Sequence, residues 1–179
     1  YLSTTGVYGD QGGGWVDETT PTAPNNARAE RRVTAERQWL ELGRERSIAT
    51  HIFRLAGIYG PGNCALDDVR AGTARRIDKP GHDFSRIHVE DIAQVLEASI
   101  ARPRNHVDSR GAIYNVCDDV PAPSADVVTY ACELLGVAPP PLMPFAQVEA
   151  SLSPMAREFW SANRKVSNAL IKSELGVTL

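Results

Sequence analysis

The feature that most constrains the fold is a strand, a helix and a second strand at the start of the sequence. Residues 1–5 (YLSTT) are typical of the end of a buried strand, and residues 47–55 are short and rich in apolar and aromatic side chains. Between them, Asn25 or Asn26 can cap a helix that we expect to run to about Leu42. This alternation predicts an α/β protein with a parallel sheet.

The rest of the sequence continues with helices and strands. Gly43 and Gly136 are expected to end helices. The predicted elements are a helix near residues 66–74, a helix over residues 92–100, a strand at residues 112–116, a helix capped by Ser124, a stiff connection at residues 139–141 and a helix over residues 167–175.

Composition excludes several classes of protein. The chain has 179 residues, enough for one globular domain, and its net charge of −3 with scattered Lys and Arg argues against a nucleic-acid surface. The three cysteines, Cys64, Cys117 and Cys132, lie far apart, so neither a disulfide framework nor a metal site is expected. No apolar run is long enough to cross a membrane, and a reducing cytoplasm fits best.

Hydroxyl side chains stand at the predicted carboxyl end of the first strand, in Ser3-Thr4-Thr5 before Gly6. A parallel strand delivers such side chains to a ligand at that edge of the sheet, but ordinary strand and turn residues would give the same pattern. A serine hydrolase is set aside, because the sequence contains no G-x-S-x-G motif.

Several motifs together resemble the extended short-chain dehydrogenase/reductases of the NAD-dependent epimerase/dehydratase type. The first is STTGVYGD, residues 3–10, which is similar to the family's S-[ST]-x-x-V-Y-G-[DE]. The others follow in the family's order: Glu18 with Pro21, Arg54-Leu55 with GIYGPG at 57–62, IHVEDIA at 87–93, Tyr114-Asn115-Val116, Leu134-Leu135-Gly136, and Ser167 with Leu175-Gly176.

The resemblance implies a Rossmann-type fold that binds NAD or NADP. Residues 1–62 would form the second half of the dinucleotide-binding domain and residues 63–179 mainly the substrate-binding part. The family's G-x-x-G-x-x-G turn between a strand and a helix is absent, and Gly12-Gly13-Gly14 lies in a loop and does not replace it. The chain also begins in a strand and without Met, so we expect a fragment that lacks the nucleotide-binding first half.

The resemblance also assigns roles to residues. Thr4 stands where the family's Ser or Thr hydrogen-bonds the reacting hydroxyl. The cofactor-binding positions are Ser3, Leu55, Ala56 and Ile58. The substrate-binding positions are Thr5, Gly57, Arg86 and Arg164.

One departure from the family concerns its Y-x-x-x-K pair, whose positions fall on Arg28 and Arg32. Guanidinium stays protonated and cannot replace Tyr as a base. On a helix, the two arginines would share a face and could form a clamp for a carboxylate or phosphate. The alternative is a solvated helix face, with Arg32 paired to Glu36 and Arg28 free.

Three other residues could move protons. His88 could act as a general base, with Asp91 nearby, although such a residue more often caps or orients the helix that follows it. Tyr8 and Tyr59 could replace the family's Tyr, and no spacing favours either.

Two functions therefore stay open. The first is an NAD(P)-dependent oxidoreductase acting on a nucleotide-sugar-like or other small hydroxyl or carbonyl substrate, with Arg28 and Arg32 beside Thr4 in its catalytic site. The second is a non-catalytic dinucleotide-binding sensor or scaffold of the same family. A small molecule is the expected partner in both, and the family suggests a homodimer. An unrelated binding module would require the ordered motifs to be coincidence.

Overall fold

The fold is described from a computed structural model, in which residues 1–101 and 112–179 are placed. The strands are β1 (Leu2–Thr4), β2 (Trp15–Val16), β3 (His51–Leu55), β4 (Gly57–Tyr59), β5 (Arg76–Asp78), β6 (Arg86–His88), β7 (Ala112–Val116), β8 (Leu142–Pro144) and β9 (Lys165–Val166). The α-helices are α1 (Ala27–Arg46), α2 (Ala65–Arg70), α3 (Val89–Ala101), α4 (Ser124–Leu135), α5 (Phe145–Val148) and α6 (Pro154–Ser161).

The central sheet is parallel, as the sequence predicts. Its order is β1-β3-β7, so β3, the strand that follows α1, lies beside β1. Ser3, Arg54 and Asn115 are aligned across the three strands. Pairs of shorter strands, also parallel, surround this sheet: β2 with β9, β4 with β6, and β5 with β8. The predicted α/β class is confirmed.

Helix α1 begins as predicted but ends later. The Asn26 side chain accepts a hydrogen bond from the Ala29 N–H at 2.9 Å and caps the helix. The expected end at Gly43 is wrong, because the helix continues to Arg46. A Cβ on Gly43 would lie 2.1 Å from the Thr50 Oγ1, so this glycine permits close packing of the helix on the chain that leads into β3.

Other predicted elements are present with changed ends. The strand at residues 112–116 and the glycine end of α4 at Gly136, with φ of 64°, are as expected. Ser124 does not cap α4, because Pro123 occupies the capping position and Ser124 is the first helical residue. The second strand begins at His51, α2 ends at Arg70, and the last predicted helix is represented by a π-helical turn, Ile171–Leu175.

Buried side chains form two clusters of unequal size. The sheet cluster contains residues of the central sheet and the elements packed on it, including Val7, Phe53, Ile87, Val95 and Tyr114. The aromatic cluster is smaller and consists of Ile77, Val148 and Trp160 with the partly buried Phe84, Met143, Phe145 and Leu152. Because α6 carries Trp160, the aromatic cluster holds this helix against the rest of the protein.

Within residues 1–101 and 112–179, no helix is both long enough and apolar enough to cross a membrane. Across the same residues, no group of three or more His, Cys, Asp or Glu side chains is placed to hold a metal ion. The three cysteines are free thiols.

Candidate active site

A cavity of about 260 Å³ lies where β1 and β3 end. The wall that we call the sheet wall comes from the ends of these strands and the start of α1. Its residues are Thr4, Thr5, Gly6, Asn25, Asn26, Arg28, Ala29, Arg32, Ala56 and Gly57. The opposite wall, the α6 wall, comes from the chain before β6 and from α6 and the residues after it. Its residues are Asp83, Phe84, Ser85, Met155, Glu158, Phe159, Ala162, Arg164 and Val166.

Thr4 stands at the junction of β1 and the 3₁₀ turn Thr5–Tyr8. Its Oγ1 accepts a hydrogen bond from the Gly6 N–H at 3.1 Å and so caps that turn. A hydroxyl that accepts a bond keeps its own O–H as a donor. Thr4 is therefore held in place while it can still donate to a ligand in the cavity.

Arg28 and Arg32 line the cavity together with Thr4. Arg28 is exposed, whereas Arg32 is partly buried. The Arg32 Nη1 donates to the Leu2 carbonyl at 2.8 Å and to the Tyr1 hydroxyl at 3.2 Å, which fixes the guanidinium beside β1. The alternative pairing of Arg32 with Glu36 is wrong, since Glu36 is buried against Arg54.

Arg164 reaches the same cavity from the far end of the chain. Its Nη1 donates to the Gly9 carbonyl at 2.9 Å. Gly9 has φ of 65°, and a Cβ there would lie 1.9 Å from the Ala23 carbonyl oxygen, so only glycine fits this turn. The glycine of the V-Y-G motif thus positions the backbone that holds Arg164.

Of the remaining residues predicted to bind cofactor or substrate, some line the cavity and others do not. Thr5, Ala56 and Gly57 line the cavity. Four others are not among its lining residues. Ser3 and Leu55 are buried, Ile58 is 48% exposed, and the Arg86 Nη1 donates to the carbonyls of Phe84 and Ala122.

Beneath the sheet wall lies a buried ion pair. The Arg54 Nη2 is 2.7 Å from the Glu36 Oε2, and both side chains are about 5% exposed. The Ser3 hydroxyl also donates to Glu36, at 2.5 Å. This pair joins the middle of α1 to the two strands whose ends carry Thr4 and Ala56, and it therefore fixes the helix that bears Arg28 and Arg32.

Other motif residues extend the same network. The Arg54 Nη1 donates to the Tyr8 hydroxyl at 2.9 Å, and Tyr8 donates to the Asn115 Oδ1 at 2.8 Å. The Asn115 N–H donates to the Glu18 Oε1 at 2.7 Å. Burial raises the pKa of Tyr8 above its ordinary value. Tyr8 is fully buried and is not among the residues that line the cavity, so its role in this network is structural.

Tyr59 and His88 also lie outside the set of lining residues. The Tyr59 hydroxyl bonds Asp118, and burial, with the charge of Asp118 second, raises the pKa of Tyr59 to about 12. The Glu90 N–H donates to the His88 Nδ1 at 3.3 Å, which places His88 at the start of α3. The contact matches the capping alternative for His88.

The α6 wall contains the residues that motif reasoning missed. Phe84 and Phe159 stack with their centroids 5.7 Å apart, and Met155 and Phe159 are exposed. One signal was present in the sequence: Ser153 followed by Pro154 is a typical helix start, and the Ser153 hydroxyl accepts from the Ala156 N–H at 3.2 Å. That signal predicts a helix but not that it would face Thr4.

The residues present fit one end of a dinucleotide. Just after the end of β3, Ala56 has a small side chain and Gly57 has none, and this is the edge where ligands bind in open parallel sheets. Thr4 and the arginines add hydrogen-bond donors of the kind that amide, ribose and phosphate oxygens accept. The donor set suits a nicotinamide and its ribose, and these residues would contact that end of the cofactor.

A parallel sheet with a cleft at the carboxyl ends of its strands defines a Rossmann-type α/β protein. The sequence model of the NAD dependent epimerase/dehydratase family matches residues 1–117. The chain belongs to this family.

Solved structures agree on the fold. A protein of unknown function from Silicibacter pomeroyi DSS is 56% identical with a TM-score of 0.89, over 100% of this chain and 60% of that one. A protein from Methylobacillus flagellatus, described as an NAD-dependent epimerase/dehydratase, is 26% identical with a TM-score of 0.68, over 99% of this chain and 57% of that one.

More distant similarity shows the fold alone. DesIV of Streptomyces venezuelae, a dTDP-glucose 4,6-dehydratase whose structure contains NAD, is 17% identical with a TM-score of 0.74. The match covers 99% of this chain and 53% of DesIV. This chain thus spans somewhat more than half the length of the similar structures. No curated protein matches it.

Proposed function

We propose that this chain is the substrate-side part of an NAD(P)-dependent oxidoreductase acting on a nucleotide-sugar-like or other small hydroxyl or carbonyl substrate. The observation that carries the proposal is the position of Thr4. This partly buried residue lines one cavity with Ala56 and Gly57, at the ends of two neighbouring parallel strands. In a Rossmann-type sheet this edge is where cofactor and substrate meet.

Each lining residue has a definite task in this proposal. The nicotinamide, when bound, accepts or supplies the hydride. Thr4 donates a hydrogen bond to the oxygen of the reacting hydroxyl or carbonyl. Arg28 and Arg32 stabilise negative charge on the substrate, but as permanent cations they cannot accept its proton, which would pass to water in the cavity or to a lining carboxylate, Asp83 or Glu158. Arg164, held by Gly9, binds the substrate from the α6 wall.

The proposal also covers the organisation of the whole protein. Residues 1–62 belong to the dinucleotide-binding half and residues 63–179 mainly to the substrate side, while the glycine-rich phosphate turn comes from residues outside this sequence. The similar structures are longer than this chain, which supports such an arrangement. We further propose a cytoplasmic homodimer, and the three free thiols are compatible with a reducing compartment.

A second candidate, a non-catalytic dinucleotide-binding sensor or scaffold, is favoured by one observation. Among the described residues that line the cavity there is no Tyr, His or Lys, and the carboxylates present are Asp83, 4.0 Å from the Lys165 Nζ, and the exposed Glu158. The same family membership supports this candidate equally well.

Hydride transfer distinguishes the two candidates. The protein, including any residues that precede Tyr1, is mixed with NAD or NADP and a panel of nucleotide sugars, hydroxy acids and carbonyl compounds, and the absorbance of the reduced nicotinamide is followed. We expect turnover with at least one compound, a loss of about 100-fold in Thr4→Val and recovery in Thr4→Ser. Dinucleotide binding without turnover across the panel would establish the sensor instead.

A further inference from the structure

We infer that the substrate is an oxyanion, a carboxylate or phosphate, carried on an apolar and preferably aromatic group. This inference rests on the proposed function for its choice of cavity and narrows the substrate class. The cavity has two chemically different sides, and an aryl oxyanion matches both of them.

The cationic side consists of Arg28, Arg32 and Arg164, which all line the cavity. Two of the guanidinium groups are held in place, Arg32 by the Leu2 carbonyl and Arg164 by the Gly9 carbonyl. Planar guanidinium groups held in this way can donate two parallel hydrogen bonds to the oxygens of a carboxylate or phosphate. Because they are already oriented, the entropic cost of binding is lower.

The charges of the wall still favour an anion after the acidic residues are counted. Asp83 and Glu158 also line the cavity. The Asp83 Oδ2 lies 4.0 Å from the Lys165 Nζ, which partly offsets its charge. The three guanidinium groups therefore outnumber the carboxylates that oppose them.

The apolar side is made by Phe84, Phe159 and Met155. Phe84 stacks on Phe159 and meets the edge of Trp160 at a centroid distance of 4.8 Å. Phe159 is nevertheless 57% exposed and Met155 64% exposed. An aromatic group in the cavity would extend this stack and remove apolar surface from water.

A planar aryl ring uses this side more fully than a sugar ring does. A sugar offers Phe159 and Met155 only the C–H groups of one ring face, whereas an aryl ring is apolar throughout and can stack on Phe159. An aryl oxyanion is therefore the better chemical match.

Calorimetric titration of the protein tests the inference without any cofactor. The probes are 3-phenylpropionate and phenyl phosphate as the two oxyanions, 3-phenylpropionamide without the charge, acetate without the ring, and UDP-glucose. We expect at least one aryl oxyanion to bind about tenfold or more tightly than the amide and acetate, with an affinity that falls as salt rises. Equal binding of the amide, or binding of UDP-glucose alone, would overturn the inference.

Matched variants locate the two halves of the ligand. Arg28→Met should weaken binding of the preferred oxyanion about ten- to a hundredfold and leave the amide unchanged. Its control is Arg31→Met, an exposed arginine of the same helix that does not line the cavity. Phe159→Ser should weaken both aryl ligands, whereas Tyr130→Ser, which alters a ring that is 62% exposed on α4, should weaken neither.

The inference and the proposed function fail in different ways. Binding of an aryl oxyanion at the cavity without hydride transfer to any compound would leave the inference intact and remove the oxidoreductase. Turnover of a nucleotide sugar, with no aryl oxyanion bound and no effect of Arg28→Met, would support the oxidoreductase and remove the inference.

Discussion

The sheet wall of the cavity rests on a helix of 20 residues and a three-stranded sheet, whereas the α6 wall rests on a helix of 8 residues and a small aromatic cluster. Beneath the sheet wall, the Glu36–Arg54 pair and its hydrogen bonds join α1 to the strands. At the α6 wall, the His82 ring packs against both Phe84 and Trp160. The sheet wall is thus fixed by a buried ion pair and its hydrogen bonds, whereas the α6 wall combines ring packing with hydrogen bonds such as that from the Lys79 Nζ to the Trp160 carbonyl.

This difference suggests a division of tasks. Hydrogen bonds of fixed geometry suit groups that must keep their orientation, such as Thr4 and Arg32. Ring packing has weaker directional demands and tolerates changes of shape. We therefore expect the sheet wall to set the chemistry and the α6 wall to set which apolar group is accepted.

The largest expected effect concerns the sheet wall. Glu36→Gln leaves the Arg54 guanidinium buried without its counter-charge, which should lower the free energy of unfolding by about 3–5 kcal/mol. Denaturant unfolding measures this loss. Glu41→Gln is the control on the same helix, because its partner Arg44 lies 3.5 Å away at an exposed position, where an ion pair is worth at most about 1 kcal/mol.

A double variant sharpens the interpretation. Glu36→Leu with Arg54→Met replaces both charges by apolar groups and should recover much of the stability that Glu36→Gln loses. The Arg28 and Arg32 clamp should then be less well oriented, so the double variant should bind the aryl oxyanion more weakly than the native protein. Tight binding by a stable double variant would contradict the division of tasks.

At the α6 wall, we expect the free energy of unfolding to change with pH, by up to about 3 kcal/mol. His82 is 4% exposed, and burial, followed by the charge of Lys79, lowers its pKa from 6.5 to about 4. Between these pH values the unfolded chain binds a proton that the folded protein does not. The stability due to neutral His82 is therefore complete above about pH 6.5 and falls as the pH is lowered to about 4.

Unfolding free energies of the native protein and His82→Phe, measured from pH 8 to pH 4, test this expectation. The phenyl ring keeps the contacts with Phe84 and Trp160 but does not titrate. The difference in unfolding free energy between the two proteins at pH 8 gives the effect of the substitution on packing. Below pH 6.5, the native protein should lose more stability than His82→Phe. Parallel pH profiles would show that His82 does not govern the α6 wall.

The sequence predicted the two walls unequally. Ser3, Tyr8, Glu18, Arg54 and Asn115 all belong to motifs, and in space they form one hydrogen-bonded network with Glu36. Their order along the chain was therefore a guide to the sheet wall. Tertiary contacts decided what local pattern could not: the continuation of α1 past Gly43 depends on the close approach of Thr50.

The α6 wall could not be predicted in the same way. Strands β5, β8 and β9 have two or three residues each, too few for a periodic pattern. Phe84 and Phe159 are 75 positions apart, and their stacking depends on contacts between those short elements. Only the capped start of α6 at Ser153 was a local signal, and it does not say which wall the helix forms.

The smallest effect comes from the charge on the α6 wall. Glu158 lines the cavity on the wall opposite Arg28 and Arg32 and should repel an anionic ligand. Because the residue is exposed, solvent screens most of this repulsion, and Glu158→Gln should tighten binding of the preferred aryl oxyanion only about two- to fivefold. Glu149→Gln, an exposed glutamate outside the lining, is the control and should leave the affinity unchanged.

Added salt should shrink the difference in affinity between Glu158→Gln and the native protein, since screening acts on exposed charges. Weaker binding in Glu158→Gln would mean that this carboxylate accepts a hydrogen bond from the ligand, and the α6 wall would then contribute a polar contact as well as apolar surface.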